Sequence, residues 1–112
     1  MKVSYHPEDP ADGDAQEWAF KPNRVRQSEA EMVEKRAKAA GIADRWDEFV
    51  MLCKAEHAGA LRLLLWHLYR REHPAYKLDM VPDFCMGDVS VDLDLDELIE
   101  TKAMTESRRA IF

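Results

Sequence analysis

The stretch over residues 60–74, A-L-R-L-L-L-W-H-L-Y-R-R-E-H-P, limits the possible folds more than any other part of this chain. Leu61, Leu64, Leu65 and Leu68 recur at helical spacing, and Leu63, Trp66 and Tyr69 widen the apolar stripe around much of the circumference. A helix apolar over so much of its surface must be surrounded by other elements. Leu64, Leu65 and Leu68 are therefore expected at the centre of the core. Arg70 and Arg71 complement the carbonyl end of such a helix, and Pro74 terminates it. Upstream, Trp46, Phe49, Val50 and Cys53 share one helical face, with Asp44 as a candidate cap and Asp47 and Glu48 in the first turn. Gly59 either kinks this region or separates two helices.

Before these elements, residues 23–40 form a further helix candidate. Ala30, Val33 and Ala37 make a narrow stripe, Asn23 or Ser28 is placed to cap it, and Gly41 suits its C-terminal stop. Residues 17–22, E-W-A-F-K-P, put Trp18 and Phe20 on one side of an extended chain, and Pro22 blocks its continuation as a central strand. A short edge strand or arm held by two aromatic anchors is expected there. Val89, Val91, Leu93 and Leu95 alternate with Ser90, Asp92, Asp94 and Asp96, the period of a half-buried strand. The reading is a mainly α fold: a small helical domain with a short N-terminal strand or arm and one C-terminal β-strand. Residues 1–16, interrupted by Pro7, Pro10 and Gly13, read as a mobile acidic leader, 17–100 as the domain, and 101–112 as a polar tail.

Composition narrows the function. A chain of 112 residues holds one domain. Its 22 Asp and Glu exceed its 16 Lys and Arg, for a formal net charge of −6. Phosphate backbones call for the opposite balance, so nucleic acid is not an expected partner. Apolar runs such as 63–66 are far too short for a membrane span, and the N-terminal residues carry no apolar signal segment. Cys53 and Cys85 lie far apart, without a CxxC pairing, and read as free thiols of a reducing cytoplasm. Cys53 falls on the apolar side of its helix, where a thiol is an inert packing group. Arg62, Arg70, Arg71 and Lys77 form the basic concentration of the sequence and read as a solvated helix face.

Two constellations invite metal. Asp92, Asp94 and Asp96 have the alternate spacing of a calcium loop but lack its glycine, and strand alternation accounts for them. His57, His67 and His73 stand ten and six residues apart, which puts no pair on one helical face. No phosphate-cradling glycine loop and no nucleophile elbow is present. No metal, no cofactor and no catalytic residue is expected, and the chain reads as a binding protein rather than an enzyme. The expected docking surface is an apolar rim of Trp46, Phe49 and Trp66, with the strand residues Val89, Val91, Leu93 and Leu95 beside it, because large aromatics are strong anchors at interfaces. The competing reading is that Trp46 and Phe49 simply fill the core.

In order along the chain, F-K-P-N at 20–23, A-E-M-V-E-K at 30–35, W-D-E-F at 46–49, the run 60–74, the segment 76–81 and the acidic alternation at 89–98 resemble the tail assembly chaperones of long-tailed actinobacterial phages. The resemblance covers about residues 18–98. It implies a non-catalytic assembly factor that coats the tape measure protein, a long helical chain with exposed apolar stretches, in the host cytoplasm before the tail tube polymerises. Such proteins are often made in a short form and a frameshifted long form, and a length of 112 residues would fit the short form. Partners on this reading are the tape measure protein or another phage structural protein, with self-association possible, and neither nucleic acid nor membrane. The alternative is a small structural virion protein, a connector or tail-completion component. A net charge of −6 suits a soluble body whose bound copies repel one another.

Overall fold

The computed structural model describes residues 1–94. The fold is mainly α with a small sheet: three helices, α1 (Gln27–Ala39), α2 (Trp46–Lys54) and α3 (Ala58–Glu72), pack beside three short strands, β1 (Lys2–Tyr5), β2 (Gln16–Ala19) and β3 (Val89–Asp92). The sheet is antiparallel in the order β2-β1-β3.

The expected mobile leader is corrected by this topology, since β1 is the central strand. Val3 and Tyr5 are wholly buried, and Ser4 on the other face is buried too. Val3 stands opposite Trp18 on one side and Val91 on the other, and Tyr5 opposite Gln16 and Val89. The amino group and carbonyl of Met1 exchange hydrogen bonds with Phe20 at 2.9 and 2.8 Å. Pro7, Pro10 and Gly13 do exclude a long helix, but what they build is a folded connection from β1 to β2. Asp9 caps a single 3-10 turn at Pro10–Asp12, and the Tyr5 hydroxyl donates to Asp12 O at 2.6 Å. Two apolar side chains two positions apart are too short a pattern to stand out, and pairing on both edges is what buries them.

The edge strand read at 17–22 is β2, with Trp18 and Phe20 buried as its anchors. Helix α1 starts later than the candidate 23–40. Pro22 opens a 3-10 turn, Pro22–Arg24, and Val25 and Arg26 are extended. Neither Asn23 nor Ser28 caps α1. Arg26 occupies the cap position without a side-chain bond, and Ser28 lies inside the first turn. Val33 and Ala37 form its buried face. Gly41 ends it as expected: with φ at 70°, it lets Gly41 N–H reach Lys38 O and Ile42 N–H reach Ala37 O, the double closure of a Schellman motif.

The same closure ends α2, where Glu56 N–H bonds Cys53 O and His57 N–H bonds Leu52 O. Here the left-handed position is held by Glu56, at φ 56°, a conformation that disfavours a residue with a Cβ. Its carboxylate accepts the N–H of Val91 at 3.1 Å, which satisfies the outer edge of β3. The region around Gly59 is thus two helices, and the separator is this turn. Gly59 lies within the first turn of α3, and a Cβ there would stand 2.8 Å from Ile42 Cδ1. His57 caps α3 by accepting from Ala60 N–H at 3.3 Å.

Asp44 is not the cap of α2. The Trp46 N–H donates instead to Glu34 Oε2 at 3.0 Å, a carboxylate carried by α1. Helix α3 runs through the centre. Leu61, Leu64, Leu65 and Leu68 are fully buried, in line with the periodicity, together with Cys53 and Phe49 of α2. Burial pushes the Cys53 thiol far up, so it stays protonated and packs against Ala60 O at 3.8 Å. Both cysteines are free, Cys53 buried and Cys85 exposed.

Candidate functional site

The segment following β2 forms a ridge at the surface, because Pro22 turns the chain away from the sheet and Phe20 anchors it in the core. Phe20 meets Trp46 edge-on at 6.3 Å and His67 edge-on at 5.9 Å, so α2 lies on one side of the ridge and α3 on the other. A concavity opens on each side. Towards α2, a groove of about 560 Å³ is walled by Met1, Phe20, Pro22, Trp46, Val50 and Met51, with Lys21, Arg24, Asp47, Lys54 and Asp94 around it. Towards α3, a cavity of about 460 Å³ is walled by Phe20, Val25 and His67 and by the cations Lys21, Arg24, Arg26 and Arg71, with Glu29 the one carboxylate.

The rim expected from sequence is only partly assembled. Trp46 is half-buried and lines the α2 groove, with its ring 5.4 Å from that of Phe49. Phe49 itself is wholly buried beneath it and presents no surface. Trp66 is a core residue on a different part of the molecule. Its Nε1 donates to Tyr76 O at 3.2 Å, and Arg36 and Arg70 stand over its ring at 5.9 and 5.1 Å. Those guanidinium groups and the segment containing Tyr76 leave Trp66 only 5% exposed. Val89 points into the core opposite Tyr5, and Val91 is half-buried opposite Val3. The strand is shorter than its alternation suggested, ending at Asp92. Leu93 follows it, half-buried, and Leu95 lies outside the described residues. Of the expected rim, then, Trp46 belongs to a surface groove, while Phe49, Trp66 and Val89 are packing residues. Large aromatics at helical spacing are drawn into a core this small because they remove the most apolar area from water.

Sequence reasoning did not single out Phe20, Val50 and Met51 as groove walls or Lys54 at its edge. The signal available was the F-K-P-N stretch, whose proline forces the ridge. The three histidines are dispersed: His57 caps α3, His73 closes it, and His67 is buried in its middle. Burial holds the His67 pKa below its ordinary value, and Arg71 and Arg70 act in the same direction against Glu29, whose Oε2 lies 3.7 Å from Nδ1. That carboxylate is already engaged by Arg70 Nη1 at 3.0 Å. Asp92 sits exposed at the end of β3 opposite Lys2, and Asp96 lies outside the described residues. Among the described residues, no three His, Cys, Asp or Glu side chains come together as metal ligands, and no helix is long and apolar enough to cross a membrane.

Chemically, the α2 groove presents aromatic and thioether surface bordered by charge, which suits apolar side chains on a charged partner. No protein-family model, no curated protein and no solved structure matches the chain.

Proposed function

We propose that this chain is a non-catalytic phage tail assembly chaperone, which binds the tape measure protein in the host cytoplasm and keeps it soluble until the tail tube forms. The observation that carries the reading is the α2 groove. It offers half-buried Trp46 and Met51 over a buried Val50, on a protein whose net charge is −6. A holdase for a long helical chain requires this combination, an apolar slot for successive hydrophobic side chains on a body that repels its own copies. The resemblance carried by 20–23, 30–35, 46–49 and 60–74 supports the same reading. Methionine and tryptophan suit a partner presenting many related apolar stretches rather than one fixed epitope.

The test is co-expression with neighbouring gene products, followed by pull-down from a tagged copy of this chain. A soluble complex with a long helical protein is expected. Met51→Asp, which puts a charge on a partly exposed wall of the groove, should remove the complex while leaving the circular dichroism spectrum unchanged. An intact complex with Met51→Asp would move the docking surface elsewhere. Recovery of the chain in purified particles would replace the chaperone reading with that of a structural virion component.

A further inference from the structure

The cavity on the α3 side of the ridge has a different chemistry from the groove. Lys21, Arg24, Arg26 and Arg71 surround it, although the chain as a whole carries a net charge of −6. Glu29, the carboxylate on its wall, is taken by Arg70 at 3.0 Å. Lys21, Arg24 and Arg26 pair with no carboxylate among the described residues. Arg71 donates Nη1 to Ala19 O at 2.8 Å, which fixes its guanidinium at the cavity and leaves its remaining N–H groups available. Four like charges gathered in a concavity repel one another, and a bound anion relieves that repulsion.

Two further features point the same way. The cavity lies at the N-terminus of α1, with Arg26 at the cap position and Glu29 in the first turn. No side chain caps that end, so the positive end of the helix dipole and the first-turn N–H groups have no side-chain acceptor there. Independently, His67 forms part of the cavity wall, is 5% exposed, and has a buried Nδ1 with no hydrogen-bond partner. Glu29 Oε2, 3.7 Å from it, is beyond hydrogen-bonding distance. A buried ring nitrogen with unmet hydrogen-bonding capacity is rare in a finished core.

We propose that this cavity is an oxyanion-binding site, in which Lys21, Arg24, Arg26 and Arg71, with the N-terminus of α1 and the His67 ring at the wall, hold a phosphate or carboxylate group. Guanidinium groups match both ligands through paired N–H donors. A volume of about 460 Å³ admits a phosphoryl group or an acidic side chain. The site adjoins the apolar groove across the Phe20 ridge: Lys21 and Arg24 border both, while Val25, Arg26, Glu29, His67 and Arg71 line the basic cavity and not the groove.

The experiment is an NMR titration of the full chain with inorganic phosphate and, separately, with acetate, at ionic strength held constant with sodium chloride. Saturable shifts confined to the amides of residues 26–29 and the His67 ring are expected, together with a rise in melting temperature that grows with ligand concentration. Saturation by phosphate with little response to acetate identifies a phosphoryl ligand. Saturation by acetate identifies a carboxylate supplied by a protein partner. The double variant Arg24→Glu/Arg26→Glu should weaken binding at least about tenfold, because it reverses two of the charges that hold the anion. Lys54→Glu, in the other groove, should leave binding unchanged. If the charge reversal unfolds the chain, Arg24→Gln/Arg26→Gln carries the same expectation. Linear, unsaturating shifts with both anions, or equal losses for the double variant and Lys54→Glu, would overturn the site.

Discussion

Helix α3 and strand β1 are both buried at the heart of this molecule, yet they come to be there for different reasons. Over its fifteen residues α3 carries its own instruction: leucines at most of its core-facing positions and a terminating basic pair. Strand β1 has four residues, of which Val3 and Tyr5 enter the core. Its place depends on partners 15 and 88 positions further along the chain, since Val3 lies opposite both Trp18 and Val91. One element is central by its composition, the other by its neighbours. A helix completes its hydrogen bonds internally, whereas a strand completes them only through other segments.

That contrast can be broken most directly at Leu65. Leu65→Ala removes a fully buried side chain from the middle of α3 and should cost about 2–5 kcal/mol in denaturant unfolding. A loss under about 1 kcal/mol would mean that the helix surface there is not core. Val3→Ala tests the other half. If β1 is the central strand, removing two buried methyl groups should cost about 1.5–2 kcal/mol, at roughly 0.8 kcal/mol for each buried carbon. A mobile leader would show no loss at all, so the size of this effect decides between them.

The smallest expected effect is a dependence on pH, and it lies where α3 meets the ridge. The folded-state pKa of His67 is lowered, chiefly by burial, with Arg71 and Arg70 adding to the effect and Glu29 opposing it. The unfolded chain therefore binds a proton at this position more readily than the folded one. Stability from the neutral imidazole is complete above the unfolded value near 6.5 and is lost as pH falls from there through the folded value. Melting temperature should decline over that acidic interval, and His67→Gln should flatten the decline. An unchanged profile in the variant would assign the acid sensitivity to other groups.

The α2 groove and the basic cavity divide in the same way. Trp46 was visible in sequence as an aromatic at the start of its helix, and it does line a surface groove. Its supposed companions could not be sorted, because the sequence pattern is identical for an aromatic that covers the core and one that borders it. Trp66 packs into the core cluster, and Arg36, Arg70 and the Tyr76 carbonyl, from other segments or turns, help to close over it. The cationic cavity left still less trace. Sequence proximity grouped Arg71 with Arg62, Arg70 and Lys77, while the fold groups it with Lys21, Arg24 and Arg26.

By itself, the sequence determined helical periodicity within 23–40 and 44–73, the burial of Leu61, Leu64, Leu65 and Leu68, the Gly41 stop, an extended segment anchored by Trp18 and Phe20, and the inert packing of Cys53. These are properties of one stretch of chain, fixed by local period and by the backbone preferences of glycine and proline. Tertiary structure alone decided that residues 2–5 form the middle strand, that Glu34 of α1 caps α2, that Glu56 both turns the chain and covers the edge of β3, and that Arg71 joins the ridge cations. Each of those joins groups from segments far apart in sequence, and no periodicity records such a contact, because it exists only once the core has brought the segments together.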